Sequence, residues 1–364
     1  MKIIFFSSYY PRYLDAFYKK KPLLSSMTYD EQMNALRKDY FGDWASYLPS
    51  FSKLGAEPHL IIPNCKPLQQ AWAKENNIKW DPKNWEYSLP IEQVKKIKPD
   101  VFYIGNMFEY YGEFLDAIKQ HTKKIFGWIA CEIPAGVKPV QLDLVLSSLP
   151  LFVERFRNDG LNAEFLTAAF DAAILNAIDQ RTIQDINFSF IGSLTRAHSK
   201  RINMVKHLID QTDLEFFGLN IEAIQDERSF FKRLTTSSIY KKRFRGEAWG
   251  LDMYKILKRS KITFNAHIDI SGSYIGNMRM YEATGAGALL LTDGKNAPVK
   301  LFKDDEVVYY ENIDEAVGKY QYYLSHEKER NEIAKRGQQR TLSDYSYERT
   351  SKQLYNYFEE YLKK

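Results

Sequence analysis

Residues 272–293, GSYIGNMRMYEATGAGALLLTD, hold the densest group of side chains able to do chemistry. Gly272, Gly276 and Asn277 permit backbone conformations and close approaches that bulkier residues resist. A helix is expected from about Met278, and its first N–H groups, lacking partners within the helix, form a site for a phosphate. Arg279 falls in that first turn, where the helix dipole disfavours a cation, so a bound anion would compensate it. Glu282 follows at i+3 and can face the same way. A carboxylate there suits the two hydroxyls of a ribose. A solvated Arg–Glu pair has the same spacing and is worth only about 0.2–0.5 kcal/mol. Spacing alone leaves both readings open.

A second anion candidate follows the β-rich run 187–193, which ends in Gly192 and Ser193. Arg196, His198, Lys200 and Arg201 come next and lead into a helix expected over 200–209. A basic loop entering a helix N-terminus suits a diphosphate. It has neither the G-x-G-x-x-G of a dinucleotide site nor the G-K-[ST] of a P-loop, so NAD-dependent and NTP-hydrolysing chemistries lose ground. A third feature, 228–245, has seven cations and no acid, with Tyr240 and Phe244 interleaved. Such a run could follow a nucleic-acid backbone. The whole chain argues otherwise, with 51 basic against 46 acidic residues and a formal charge of +5. A solvated loop or the edge of an anionic-substrate cleft is the expectation, and no nucleic-acid partner.

The elements that must position these residues alternate along the 364-residue chain. Strands are expected at 2–8, 58–62, 100–104, 124–129, 143–147 and 164–168, with helices at 45–53, 112–120 and 149–158 among them. From 187 the grammar restarts, with strands near 187–193, 214–217, 261–265, 288–292 and 306–310, helices at 251–260 and 278–284, and a helical tail. Parallel strands joined by helices in two blocks imply an α/β protein of two Rossmann-like domains facing across a cleft, with ligands at the carboxyl ends of the strands. The expected division is 1–170, a linker at 171–186, a second domain at 187–345, and a helix at 346–364 packing back on the first domain.

Composition excludes several classes. With 45% hydrophobic residues the chain is not disordered. Two cysteines, Cys65 and Cys131, build neither a disulfide framework nor a cysteine-only metal site. The apolar run at the N-terminus is too brief for a signal peptide, and the apolar windows 142–153 and 165–178 fall short of a membrane span. A cytoplasmic protein is expected, with at most peripheral membrane contact through the mixed basic and apolar stretch 17–24. The 25 Tyr and 23 Phe are expected partly in the core and partly in cleft loops, at Tyr9, Tyr10, Tyr13, Phe108, Tyr110, Tyr111 and Tyr274.

The strings RGEAWGLDMY (245–254), FNAH (264–267), NMRMYEATG (277–285) and LLLTD (289–293) resemble the C-terminal domain of CgeB-like glycosyltransferases, within the group-1 glycosyltransferases of GT-B fold. YPRYL (10–14), PLQQAW (67–72) and GWIAC (127–131) extend the resemblance more loosely over the first half. It implies an enzyme moving a sugar from a nucleotide-diphosphate sugar to an acceptor: a glycan, a lipid-linked glycan, a protein or a small molecule.

Glu282 matches the second glutamate of the family's Glu-x7-Glu motif, which binds the donor ribose; the first would fall at Tyr274, a departure from the pattern. Gly276, Asn277 and Arg279 would then lie near the diphosphate and sugar, with Arg196 and Lys200 completing the phosphate clamp and Trp249 or Glu247 lining the nucleobase pocket. No Asp-x-Asp stands where a metal-dependent donor site needs one, and Asp304-Asp305 reads as a solvated pair, so metal-independent transfer without a cofactor is expected. An inverting enzyme needs a general base, for which Glu132 is the first candidate and Glu109 the second, while His267 could contact the sugar. The competing readings are a nucleotide-sugar epimerase of the same architecture and a noncatalytic glycan- or nucleotide-sugar-binding protein.

Overall fold

The computed structural model describes residues 1–105, 107–131, 133–179, 181–194, 199–221, 239–267, 274–297 and 299–364. The chain forms two compact units: Met1–Thr167 with Tyr347–Lys364, and Ala168–Ser346.

The first unit carries strands β1 (Lys2–Phe6), β2 (Glu57–Ile61), β3 (Val101–Ile104), β4 (Lys124–Trp128), β5 (Leu144–Ser147) and β6 (Ala163–Phe165). They pair in parallel in the order β2-β1-β3-β4-β5-β6. Helices cover both faces, so β3 and β5 are buried at every position and read as unbroken apolar runs. Aromatic side chains fill one layer: Phe5 meets Tyr47 at 5.4 Å and Phe51 at 5.1 Å between ring centroids. The last helix, Tyr347–Lys363, belongs to this unit and sets Phe358 against Phe51 and Phe126, 5.7 and 5.1 Å away.

Three of the six loop tyrosines are core rather than cleft-lining. Tyr9, Tyr13 and Tyr110 are buried, and only Tyr10 among the six is exposed. Phe41 stacks on Tyr13 at 3.7 Å and closes over Tyr9, while Tyr110 packs on Phe6 and Phe114. The large apolar ring outweighs the hydroxyl, which needs a single partner; Tyr13 finds one in Asp39 at 3.0 Å.

The two thiols are in different surroundings. Cys65 is buried beside the Tyr18 hydroxyl, and burial pushes its thiol up to about 11, whereas Cys131 is exposed. Thiolate is the reactive species, so mass spectrometry after brief alkylation of the native protein is expected to find Cys131 modified and Cys65 intact. Denaturation should make both react.

In the second unit β7 (Ile186–Ser193), β8 (Glu215–Leu219), β9 (Ser260–Asn265), β10 (Leu289–Thr292) and β11 (Val308–Tyr309) form a parallel sheet in the order β11-β10-β9-β7-β8. Phe188, Phe190, Phe216, Phe264 and Tyr310 are central to its core. The unit's two ends meet where the Phe170 N–H donates to the Tyr345 carbonyl at 2.8 Å. Residues 228–238 of the basic run lie outside the described residues. Nearby, Arg243 donates to the Thr212 and Asp213 carbonyls and Arg245 pairs with Glu215 at 2.7 Å, so these two cations stitch the unit together.

Helix Glu327–Asp344 passes so close to the chain at Glu306 that a Cβ on Gly337 would sit 2.3 Å from the Glu306 carbonyl oxygen. Gly337→Ala gains about 1 kcal/mol of helix propensity but must displace backbone, at about 1–3 kcal/mol. Thermal denaturation should therefore show a lower midpoint.

Candidate functional site

The site of the second unit lies at the carboxyl ends of β9, β10 and β11. Asn265 ends β9, Asp293 follows β10 and Tyr310 follows β11. Asn265 Nδ2 donates to Thr292 Oγ1 at 3.0 Å and to Asn277 Oδ1 at 3.2 Å, and Asn277 Nδ2 returns a bond to Asn265 Oδ1 at 2.9 Å. The Tyr310 hydroxyl donates to the Asn265 carbonyl at 3.0 Å. Asn277 is the N-cap of the helix Met278–Ala286, yet its side chain makes no cap bond because this amide pair engages it. The first turn thus keeps N–H groups that no side chain caps. Gly276, just before it, is buried under Tyr274: a Cβ there would meet the tyrosine ring at 2.6 Å. Burial pushes the Tyr274 hydroxyl above the usual tyrosine range.

Arg279 and Glu282 form an ion pair at 2.9 Å between Nη1 and Oε2, with side chains only 16% and 13% exposed. The solvated-pair reading therefore fails. Helix Gly250–Arg259 packs against Met278–Ala286 and brings the Met253 sulfur within 3.2 Å of Arg279 Nη1. Arg279 Nε is buried without a hydrogen-bond partner among the described residues. Trp249 opens the helix of Met253, its indole N–H donating to Glu247 at 3.0 Å. Trp249, Arg279 and Glu282 thus belong to one helix pair.

His267 is buried, its side chain 6% exposed, and its Nδ1 lies 2.6 Å from Asp293 Oδ1. Its backbone N–H also donates to Asp293, and its Nε2 accepts the Gly276 N–H at 3.1 Å. Burial pushes the Asp293 carboxyl up, but hydrogen bonds from His267 and Thr292 outweigh it and hold the group below the ordinary carboxylate range. An ionised Asp293 only accepts, so the network assigns the imidazole proton to Nδ1 and a lone pair to Nε2. Arg201, near the start of helix Ser199–Gln211, donates to the Ala266 carbonyl at 2.8 Å.

The expected site residues fall into four groups. Gly276, Asn277, Arg279, Glu282, Trp249 and His267 are in this neighbourhood. Lys200 is exposed in the first turn of helix Ser199–Gln211. Arg196, Glu132 and Gly272 lie outside the described residues. Glu109 belongs to the first unit, where the Ser8 hydroxyl after β1 donates to its carboxylate and Tyr87 donates to its carbonyl. Asn265, Asp293 and Met253 were not singled out for the site, although Asn265 and Asp293 bear the signal of polar residues at predicted strand ends. Among the described residues no cluster of His, Cys, Asp or Glu is arranged to hold a metal ion, and no helix is long and apolar enough to cross a membrane. Asp304 and Asp305 pair with Lys300 and Arg336.

Residues 174–356, half of the chain and every residue of this neighbourhood, match the family model described as glycosyl transferase-like. The chain belongs to that family. No curated protein matches it. Solved structures share its fold at low identity. HepE of Anabaena, in complex with UDP-glucose, aligns with a TM-score of 0.59 at 11% identity, covering 99% of this chain and 100% of that one. A glycosyltransferase from Rickettsia africae ESF-5 gives 0.58 at 12%, covering 100% and 98%. Sucrose-phosphate synthase from Thermosynechococcus elongatus gives 0.55 at 10%, covering 87% and 92%. The fold of this glycosyltransferase is thus GT-B, and its family places its reaction among glycosyl transfers. Family membership favours transfer over epimerisation.

Proposed function

We propose that this glycosyltransferase is of the CgeB-like subtype and holds its donor's diphosphate at the N-terminus of helix Met278–Ala286. The ion pair of Arg279 and Glu282 carries the reading: it is shielded from water, in the helix turn where a cation is least welcome. A diphosphate accepts from the guanidinium and the uncapped N–H groups, and its charge opposes both the cation and the positive end of the helix. The Glu282 carboxylate receives a ribose hydroxyl. Trp249 lines the base, and Arg196 and Lys200 add cations.

In the transfer step the bond between the sugar's anomeric carbon and the diphosphate oxygen breaks, its electron pair staying on the diphosphate. A bond forms from the anomeric carbon to an acceptor hydroxyl oxygen, whose proton leaves. Fixed donors aimed at the leaving group stabilise the charge that develops there. Glu109 or Glu132 takes the proton if the enzyme inverts. The step is metal-independent, takes place in the cytoplasm, and serves polysaccharide assembly on a glycan acceptor with at most peripheral membrane contact.

The test is a thermal-shift screen of the full chain against nucleoside diphosphates and nucleotide sugars, followed by an assay for slow hydrolysis without acceptor. UDP-glucose is the first donor to try, since HepE is solved with it. Stabilisation by one base and release of its nucleoside diphosphate are expected. Absence of any shift across the panel would overturn the donor site, and binding without turnover would favour a noncatalytic sugar-nucleotide-binding protein.

A further inference from the structure

We infer that His267 is a positioning residue in its neutral form, a latch that holds the loop leading into the donor-binding helix. The inference rests on the diphosphate reading above and deepens it. Both ring nitrogens are committed inside the protein: Nδ1 to Asp293 at 2.6 Å, Nε2 to the Gly276 N–H at 3.1 Å. Asp293 also accepts the His267 backbone N–H at 3.0 Å, so one carboxylate fixes both the backbone and the ring of the histidine. The latch spans three chain segments. It starts after β10, passes through the second residue after β9, and ends on the residue before the N-cap of helix Met278–Ala286.

What the latch positions is a backbone direction. With its N–H held by His267, the peptide at Gly276 fixes the orientation in which the chain enters the first helical turn. The Asn265–Asn277 amide pair holds the next residue from the other side. Donors act on developing charge only when they are already aimed, and misplacement by about 1 Å can cost on the order of 10²-fold in rate. The histidine therefore acts through the loop, with no proton transfer of its own.

Protonation would undo it. A second ring proton on Nε2 faces the Gly276 N–H donor to donor, and the bond is lost. Loss of the Nε2 acceptor is thus expected to lower nucleotide-sugar affinity.

Two substitutions test this in the full-length enzyme. His267→Gln keeps an acceptor where Nε2 stands and does not titrate, whereas His267→Phe keeps the ring volume and removes the acceptor. Kinetics above neutral pH should show KM for the nucleotide sugar about 10-fold or more higher in His267→Phe, with kcat also reduced. His267→Gln should stay within about 3-fold of the parent in both KM and kcat. A fall of about 10²-fold or more in kcat at unchanged KM in His267→Gln would make the residue a proton-transfer group and overturn the latch. A lower thermal midpoint with KM and kcat intact in His267→Phe would overturn it as merely structural; should that variant not fold, His267→Gln decides, parent-like KM and kcat upholding the latch and a KM raised about 10-fold overturning it. Arg279→Ala separates the two levels. If it weakens nucleotide binding while His267→Phe does not, the latch alone fails; if it leaves binding intact, the donor site and the latch fail together.

Discussion

Arg279→Ala is expected to lower kcat/KM for the nucleotide sugar by about 10²–10³-fold, the effect of deleting one pre-aimed donor to a developing negative charge. The guanidinium meets the Glu282 carboxylate and the Met253 sulfur, and it stands in the first turn of an uncapped helix. Its removal takes away charge and hydrogen-bond donors at once. Arg279→Lys should be intermediate, because an ammonium keeps the charge but loses the planar fork that grips two oxygens. Both should retain the far-ultraviolet circular dichroism of the parent. Titration calorimetry with the nucleoside diphosphate found by screening checks the binding half of the effect. Unchanged affinity would mean that the buried pair is only a structural link between two helices.

The second large effect concerns Glu282. Glu282→Gln is expected to weaken binding of the ribonucleotide by about 10- to 100-fold, the range for hydrogen bonds to a charged group. The substitution also breaks the ion pair with Arg279, so a general loss of affinity would not identify the ribose contact. A 2′-deoxy nucleotide separates the two causes. In the parent enzyme the missing hydroxyl should weaken binding, and in Glu282→Gln that difference should shrink towards nothing, as in a double-mutant cycle of groups that touch. If the deoxy penalty is as large in the variant as in the parent, the carboxylate is not the ribose acceptor. Glu282→Ala should in addition lower the thermal midpoint, since it leaves a mostly buried guanidinium without its counter-ion.

Much of the fold was legible before any coordinates. Parallel strands buried on both faces are continuous apolar runs, and their cores at 2–6, 101–104, 144–147 and 289–292 stand out without neighbours. Restarting the strand–helix alternation at 187 was enough to expect two sheets, because parallel pairing demands a crossover after every strand. The loop tyrosines misled. Tyr9, Tyr13 and Tyr110 follow strands, as cleft residues would, but Phe41, which covers Tyr9 and Tyr13, and Phe6, which packs on Tyr110, lie far enough away along the chain that no local pattern links the rings.

The candidate site divides in the same way. The amino-acid sequence by itself determined that a cation and a carboxylate stand three residues apart at the start of a helix after a glycine-containing loop, because helix geometry is local. Only the tertiary structure decided that this pair is buried, since its exposure depends on the helix Gly250–Arg259, whose Met253 lies 26 residues before Arg279. It likewise decided that His267 has both nitrogens engaged, because Asp293 is a further 26 residues along and reaches it only when β9 and β10 lie side by side. Spacing along one element can be read from the chain; burial and partnership are properties of elements that meet.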